Sequence, residues 1–244
     1  MSSLNLASAG ESLVIWKLPQ KDRLHEVTHF DTVTGASWAY DGSCLATFGE
    51  RKRDHVTLTY MKNDACSSAE ILGPGGHQSI IQSIQFPKTT SKLLYVAVND
   101  KVCLFDINRK KSKLEFKNVS KVSCMGVNVT DRWVAAGTTK GYLHVLSTKT
   151  GQSAFARPIV VSTEKAMVTS VQFNAVKYSM IGTSTDAGAV CFWDVNLAKE
   201  IHSFAEHNAP ATDLAFSPVN EVLVLSSGKY KNVMILTCTF LYVI

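Results

Sequence analysis

Six short apolar segments recur along the 244-residue chain at a nearly fixed interval. They are LVIW ending at Trp16, VTLT at Thr59, VCLF at Phe105, LHVL at Leu146, VCFW at Trp193 and VMIL at Leu236. Their last residues lie 43, 46, 41, 47 and 43 positions apart. A repeat of that length cannot bury an apolar face alone, so each unit must pack on neighbours of its own kind. No window of a dozen residues sustains a 3.6-residue apolar period, and β-branched and aromatic residues fill the apolar runs. The repeat unit is therefore built of strands.

The fifth repeat shows its grammar most plainly. MVTSVQF (Met167–Phe173) alternates as a strand, and YSMIGTS (Tyr178–Ser184) is the next. Asp186-Ala187-Gly188 makes a hairpin turn in which glycine admits φ > 0. AVCFWDV (Ala189–Val195) and KEIHSF (Lys199–Phe204) follow, giving four antiparallel strands. The same reading yields GASWA, CLATFG, HVTLTY and AEILG around the second marker, IIQSIQF, LLYVAV, KVCLFDI and SKLEF around the third, and VSCMGVNV, WVAAG, GYLHVLS and SAFA around the fourth. A four-stranded antiparallel unit repeated every 40–45 residues is a propeller blade, so the fold class is an all-β propeller.

Trp193-Asp194, the variant Phe105-Asp106, and Gly76-His77 resemble the WD-repeat signature. That resemblance implies a hydrogen-bonded set within a blade: a histidine before the first strand, an aspartate in the second turn, a Ser/Thr, and the tryptophan. The matching positions are His77, Asp100, Phe105, Asp106, Asp186, Trp193, Asp194 and His207, and the sets are incomplete. His77 and Asp100 form a candidate pair, but their marker is Phe105, not Trp. Asp186 and Trp193 lack a preceding histidine. His207 meets Lys229 where an aspartate is expected. LNLASAGESLVIWKL, SMIGTSTDAGAVCFWDVN and HNAPATDLAFSPVNEVLV further resemble the neural-precursor, developmentally down-regulated WD-repeat proteins of centrosomes and spindles. That resemblance implies a seven-bladed propeller used for targeting, with a helical region beyond it that binds the γ-tubulin ring complex and promotes microtubule nucleation.

Residues 1–244 read as one incomplete propeller domain of five to six blades. The first blade starts at its second strand, four full blades follow, and the sixth runs through three strands. A seventh marker would fall beyond position 270 at about 44 residues per blade. Val233–Ile244 is almost continuously apolar, yet shorter than the roughly 20 residues of a bilayer span. It reads as a strand of a cut blade, from an alternative transcript or an erroneous gene model. An open ring would expose unpaired edges and self-associate. A chain without the helical region would not recruit the γ-tubulin ring complex alone, and would compete with a longer form.

The remaining motifs argue for binding and against catalysis. His25-Glu26-Val27-Thr28-His29 matches the H-E-x-x-H zinc pattern, but that chemistry needs a helix. In a strand, residues four apart lie about 13 Å apart, too far to share one zinc. Gly73-Pro74-Gly75-Gly76 has no Lys-Ser/Thr or helix after it and reads as a turn. The six cysteines include no C-x-x-C pair, and nothing at Met1–Gly10 resembles a signal peptide, so a reduced cytoplasmic protein is expected, with sequons Asn118 and Asn128 unused. No cofactor, nucleic acid or membrane is expected. The net charge of +5 suits an acidic protein partner. Two basic clusters, Arg51-Lys52-Arg53 and Arg109-Lys110-Lys111 with Lys113, are candidate partner contacts, while Trp38 and Trp133 read as core. The reading is a non-enzymatic scaffold of the centrosome and spindle. The alternatives are a generic WD-repeat adaptor, such as a ubiquitin-ligase substrate receptor, and, last, a zinc hydrolase.

Overall fold

The computed structural model describes every residue except 1–3, 10–11, 19–21, 28–31, 51, 63–64, 120, 162–163, 206, 221–222, 229–232 and 238–244. Lys229 and most of the apolar tail thus lie outside the described residues. The chain divides into two compact units, Met1–Glu115 and Phe116–Ile244.

The first unit opens with a three-stranded antiparallel sheet, β1 (Leu4–Ala9), β2 (Leu13–Leu18) and β3 (Asp22–Val27). A four-stranded meander follows: β4 (Val33–Trp38), β5 (Cys44–Gly49), β6 (His55–Lys62) and β7 (Ala65–Leu72). The third sheet is β8 (Ile81–Gln85), β9 (Leu93–Val98), β10 (Lys101–Asp106) and β11 (Lys111–Lys117), whose last strand runs past the unit boundary. One 3-10 turn, Gly76–Gln78, precedes β8.

The second unit contains the meander β12 (Val122–Val127), β13 (Trp133–Thr138), β14 (Tyr142–Ser147) and β15 (Gln152–Pro158). A small hairpin, β16 (Val160–Val161) and β17 (Glu164–Lys165), leads to a second meander, β18 (Val168–Phe173), β19 (Met180–Thr185), β20 (Val190–Asp194) and β21 (Lys199–Phe204). The three strands β22 (Ala211–Phe216), β23 (Leu223–Gly228) and β24 (Val233–Thr237) form the last sheet. Strand number and order in the six sheets of three or four strands match the sequence reading, which did not contain the β16–β17 hairpin.

Burial follows rank within each sheet. The second strands are buried on both faces, as in Leu94–Val98 and Met180–Thr185. The outermost strands β11, β15 and β21 are mostly exposed. Apolar faces of consecutive sheets interlock: Ala46, Phe48 and Leu58 with Ile84, Phe86 and Val96; Val145 and Leu143 with Val171, Ile181 and Trp193; Val190 and Phe192 with Ala211 and Val224. Trp38 and Trp133 are half-buried against such clusters.

The first strands β4, β8, β12, β18 and β22 carry the same irregularity, whereas β1 pairs with β2 without a slip. The ladder slips one residue after its first pair, at Val33/Gly35, Ile81/Ser83, Val122/Cys124, Val168/Ser170 and Ala211/Asp213. The bulged residues are Thr34, Gln82, Ser123, Thr169 and Thr212, all polar. Two of them clamp the next sheet: Ser123 Oγ donates to Val168 O and Thr169 Oγ1 to Ala211 O, each at 2.5 Å.

Candidate binding surface

The markers sit on the third strand of each three- or four-stranded sheet from β4 onward and on β2 in the first sheet, where β1 takes the place of the second strand. Register places the residue two before each marker opposite one residue of the second strand. The pairs are Val14 with Ser8, Thr57 with Thr47, Cys103 with Val96, His144 with Ala136, Cys191 with Thr183, and Met234 with Ser226. Where the marker is tryptophan, the second-strand residue is a hydroxyl that receives the indole N–H. Trp16 Nε1 donates to Ser8 Oγ at 3.0 Å, and Trp193 Nε1 to Thr183 Oγ1 at 3.1 Å. Where the marker is Phe105 or Leu146, with no N–H, that residue is Val96 or Ala136. A buried polar group without a partner costs about 1–3 kcal/mol, so the buried Trp193 indole has a hydroxyl to receive it, whereas Phe105 and Leu146 have an apolar residue at that position. The resemblance implied a Ser/Thr in this set, but the sequence reading assigned no residue to it; the signal was a Ser or Thr eight or ten residues before each tryptophan. The last sheet keeps a different half of the set: Ser226 Oγ lies 2.7 Å from His207 Nε2, both buried.

Asp106 and Asp194, directly after their markers, fold the third turn. Asp106 Oδ1 accepts from Asn108 N at 3.1 Å and Arg109 N at 3.0 Å; Asp194 Oδ1 accepts from Asn196 N at 2.8 Å and Leu197 N at 3.0 Å. The Arg109 N–H, with Lys113 nearby, holds the Asp106 carboxyl below its usual range. Asp186 is exposed in its turn.

The pairing of His77 with Asp100 is corrected. The two nitrogens facing Asp54 are His77 Nδ1, 3.1 Å from Oδ2, and His55 Nδ1, 2.7 Å from Oδ1. The cause is the path from β7 to β8. Gly73 N donates to Asp54 O and Ile81 N to Arg53 O, both at 2.7 Å, so the connection is laced over the β5–β6 turn of the preceding sheet. From the following sheet it meets Asn99, whose Oδ1 accepts from Ile80 N at 3.0 Å; Asp100 stays exposed. The His55 N–H is the main reason Asp54 titrates below the ordinary carboxylate value.

In an antiparallel meander, the second turn and the inter-sheet connection share one end, and the first and third turns share the other. The two basic clusters therefore lie at different ends of their sheets. Lys52 and Arg53 sit at the connection end; Lys52 Nζ pairs with Glu70 at 2.5 Å and Arg53 Nε donates to Glu50 O at 3.0 Å. Arg51 lies outside the described residues. Arg109, Lys110 and Lys111 sit at the opposite end, exposed, with no ion pair among the described residues, while Lys113 reaches Asp106 at 3.5 Å.

No His/Cys/Asp/Glu group among the described residues is arranged to hold a metal. His25 lies in strand β3, its backbone opposite Ile15, and His29 lies outside the described residues. Asn128 is buried, its amide donating to Tyr178 O at 2.8 Å. Among the described residues, no helix is long and apolar enough to cross a membrane.

Sheets of four antiparallel strands, repeated with their apolar faces interlocked, are blades, and the fold is a WD40-type β-propeller. No family model matches the chain. Among curated proteins, it is similar to Protein NEDD1 from Homo sapiens, with 25% identity over 240 residues, 96% of this chain and 35% of that protein. Protein NEDD1 from Mus musculus matches at 26% over the same shares. Transcription factor unc-37 from Caenorhabditis elegans matches at 25% over 157 residues, 64% of this chain and 24% of that protein. The chain thus spans about a third of the length of the Protein NEDD1 sequences it matches.

Proposed function

We propose that the chain is a protein-interaction scaffold of the centrosome and mitotic spindle. It would be the propeller part of a factor through which the γ-tubulin ring complex reaches those sites for microtubule nucleation. The observation that carries this reading is the similarity to Protein NEDD1 over 96% of the chain. The blades support binding rather than turnover, since packed strands hold turns rigidly at both ends of each sheet. Exposed Arg109, Lys110 and Lys111, which make no ion pair among the described residues, suit an acidic partner. A second reading, an adaptor in another complex, draws on the similarity to Transcription factor unc-37.

Imaging a tagged chain in dividing cells tests the proposal. Enrichment at spindle poles, overlapping γ-tubulin, supports it. A diffuse or interphase-nuclear signal that never concentrates at poles removes it and favours the second reading.

A further inference from the structure

The exposed large apolar side chains of the second unit are not scattered. Val176 and Tyr178 (42% and 52% exposed) lie in the β18–β19 turn, Leu197 (62%) in the β20–β21 turn, and Val219 (87%) in the β22–β23 turn. All are first or third turns. The opposite end of these sheets carries Lys140, Asp186, Ala187 and Asn208, and no exposed large apolar residue among those described. Leu225, on β23, is the one other such side chain described in this unit.

The three sheets hold these turns at a common end. Ser123 binds Val168 O near the start of β12 and β18, and Asn128 binds Tyr178 O just beyond their far ends, so the two strands run parallel. Thr169 binds Ala211 O and Ser170 Oγ donates to Asp213 Oδ1 at 2.7 Å, which aligns β22 with β18 in the same direction. The same end carries Arg132, Lys149 and Lys199, exposed and without an ion pair among the described residues. Of its carboxylates, Asp194 accepts from the backbone of its own turn. That end thus combines exposed apolar turn residues with cations that make no ion pair among the described residues, beside Asp131 and Glu200, and the excess of cations complements an anionic, apolar chain.

We infer that this end of the second unit docks an acidic protein segment with apolar side chains, seated on Val176, Tyr178, Leu197 and Val219 and flanked by Arg132, Lys149 and Lys199. The inference rests on the scaffold reading and names the surface and the partner chemistry. In the first unit the exposed apolar residues are not confined to one end: Tyr40 lies in a first turn, whereas Ile80 lies in the connection before β8.

The test uses the full chain and a short fluorescent peptide of glutamate and leucine, with an all-glutamate peptide and a lysine–leucine peptide as controls. Fluorescence polarisation reads binding, and melting midpoints verify folding. The glutamate–leucine peptide should bind best. Val219→Asp with Leu197→Asp should weaken it about tenfold or more, and Lys140→Glu with Ala187→Asp at the other end should leave it within about twofold. Absence of binding, equal binding of the all-glutamate peptide, or equal loss in both variants overturns the inference. If the double aspartate variant melts early, Tyr178→Ser with Leu197→Ser replaces it under the same criteria. Peptide binding by a chain that stays diffuse in mitosis would refute the centrosomal reading alone. A pole-localised chain that ignores the peptide would refute the docking surface alone.

Discussion

Thr183 and Trp193 show how one residue decides what another can be. Both are buried, and the indole N–H has the threonine hydroxyl as its acceptor. Thr183→Val keeps the shape and removes the acceptor, so it should cost about 1–3 kcal/mol in urea unfolding. Adding Trp193→Phe removes the stranded donor, and the double variant should be more stable than the sum of the single losses by about 1 kcal/mol. The blade of Val96 and Phe105 has this double apolar form already. Strict additivity would show that the bond contributes nothing. Asp54 makes a second test at this scale. Its carboxyl titrates below the ordinary value, chiefly through the His55 N–H. Such a group stabilises above its unfolded pKa, and that contribution is lost as pH falls through the lowered folded value. Asp54→Asn should therefore cost stability at neutral pH, and the gap to the parent should close on acidification toward pH about 3. A gap that is flat with pH would refute the linkage.

Elements were legible where burial alternates and hidden where it does not. KEIHSF was read as a strand and is β21 to the residue, Lys199–Phe204, because its turns are marked on both sides. By contrast, β6 and β7 run on to Lys62 and back from Ala65, beyond the HVTLTY and AEILG that the pattern suggested. The added residues, such as Ser67 and Ser68, include no apolar alternation, because the outer strand faces solvent and backbone pairing alone extends it. The hairpin β16–β17 was invisible for the same reason. The His77 pairing failed because connections cross between sheets, and a period read along the chain says nothing of lateral neighbours. Turns show the lateral contact too. Gly188 has φ 83°, and an added Cβ would stand 2.3 Å from His207 O and 2.8 Å from Ala209 O. Gly42 has φ 69° with open space around it. Gly42→Ala should cost about 1–2 kcal/mol, the left-handed backbone alone. Gly188→Ala should cost clearly more, because it must also displace backbone of the next connection. Equal melting losses in the two variants would show that the connection yields freely.

At the scale of the whole molecule, the charge of +5 at pH 7 is weak as a total and informative by position. The sequence offered two basic clusters as equals, since a run of Arg and Lys looks the same wherever it falls. Packing separates them. Lys52 is held by Glu70 across the outer strand, and Arg53 is turned onto the Glu50 carbonyl. Arg109, Lys110 and Lys111 ride on a turn closed by Asp106, whose side chain is occupied by the turn's own N–H groups, and no carboxylate meets these three cations among the described residues. A surface ion pair contributes only about 0–1 kcal/mol, so pairing does not silence Lys52 completely, but it cancels the field that an approaching anion would sense. Reversal of all three to glutamate should therefore slow association with an acidic protein partner several-fold, whereas Lys52→Glu with Arg53→Glu should change it about twofold or less. Because exposed charges are screened over about 8 Å at physiological ionic strength, the difference between the two variants should shrink as salt is raised. Stopped-flow association rates across a salt series, or recovery of photobleached signal at spindle poles, measure it. Equal effects from the two clusters at low salt would mean that position in the fold adds nothing to the count of charges.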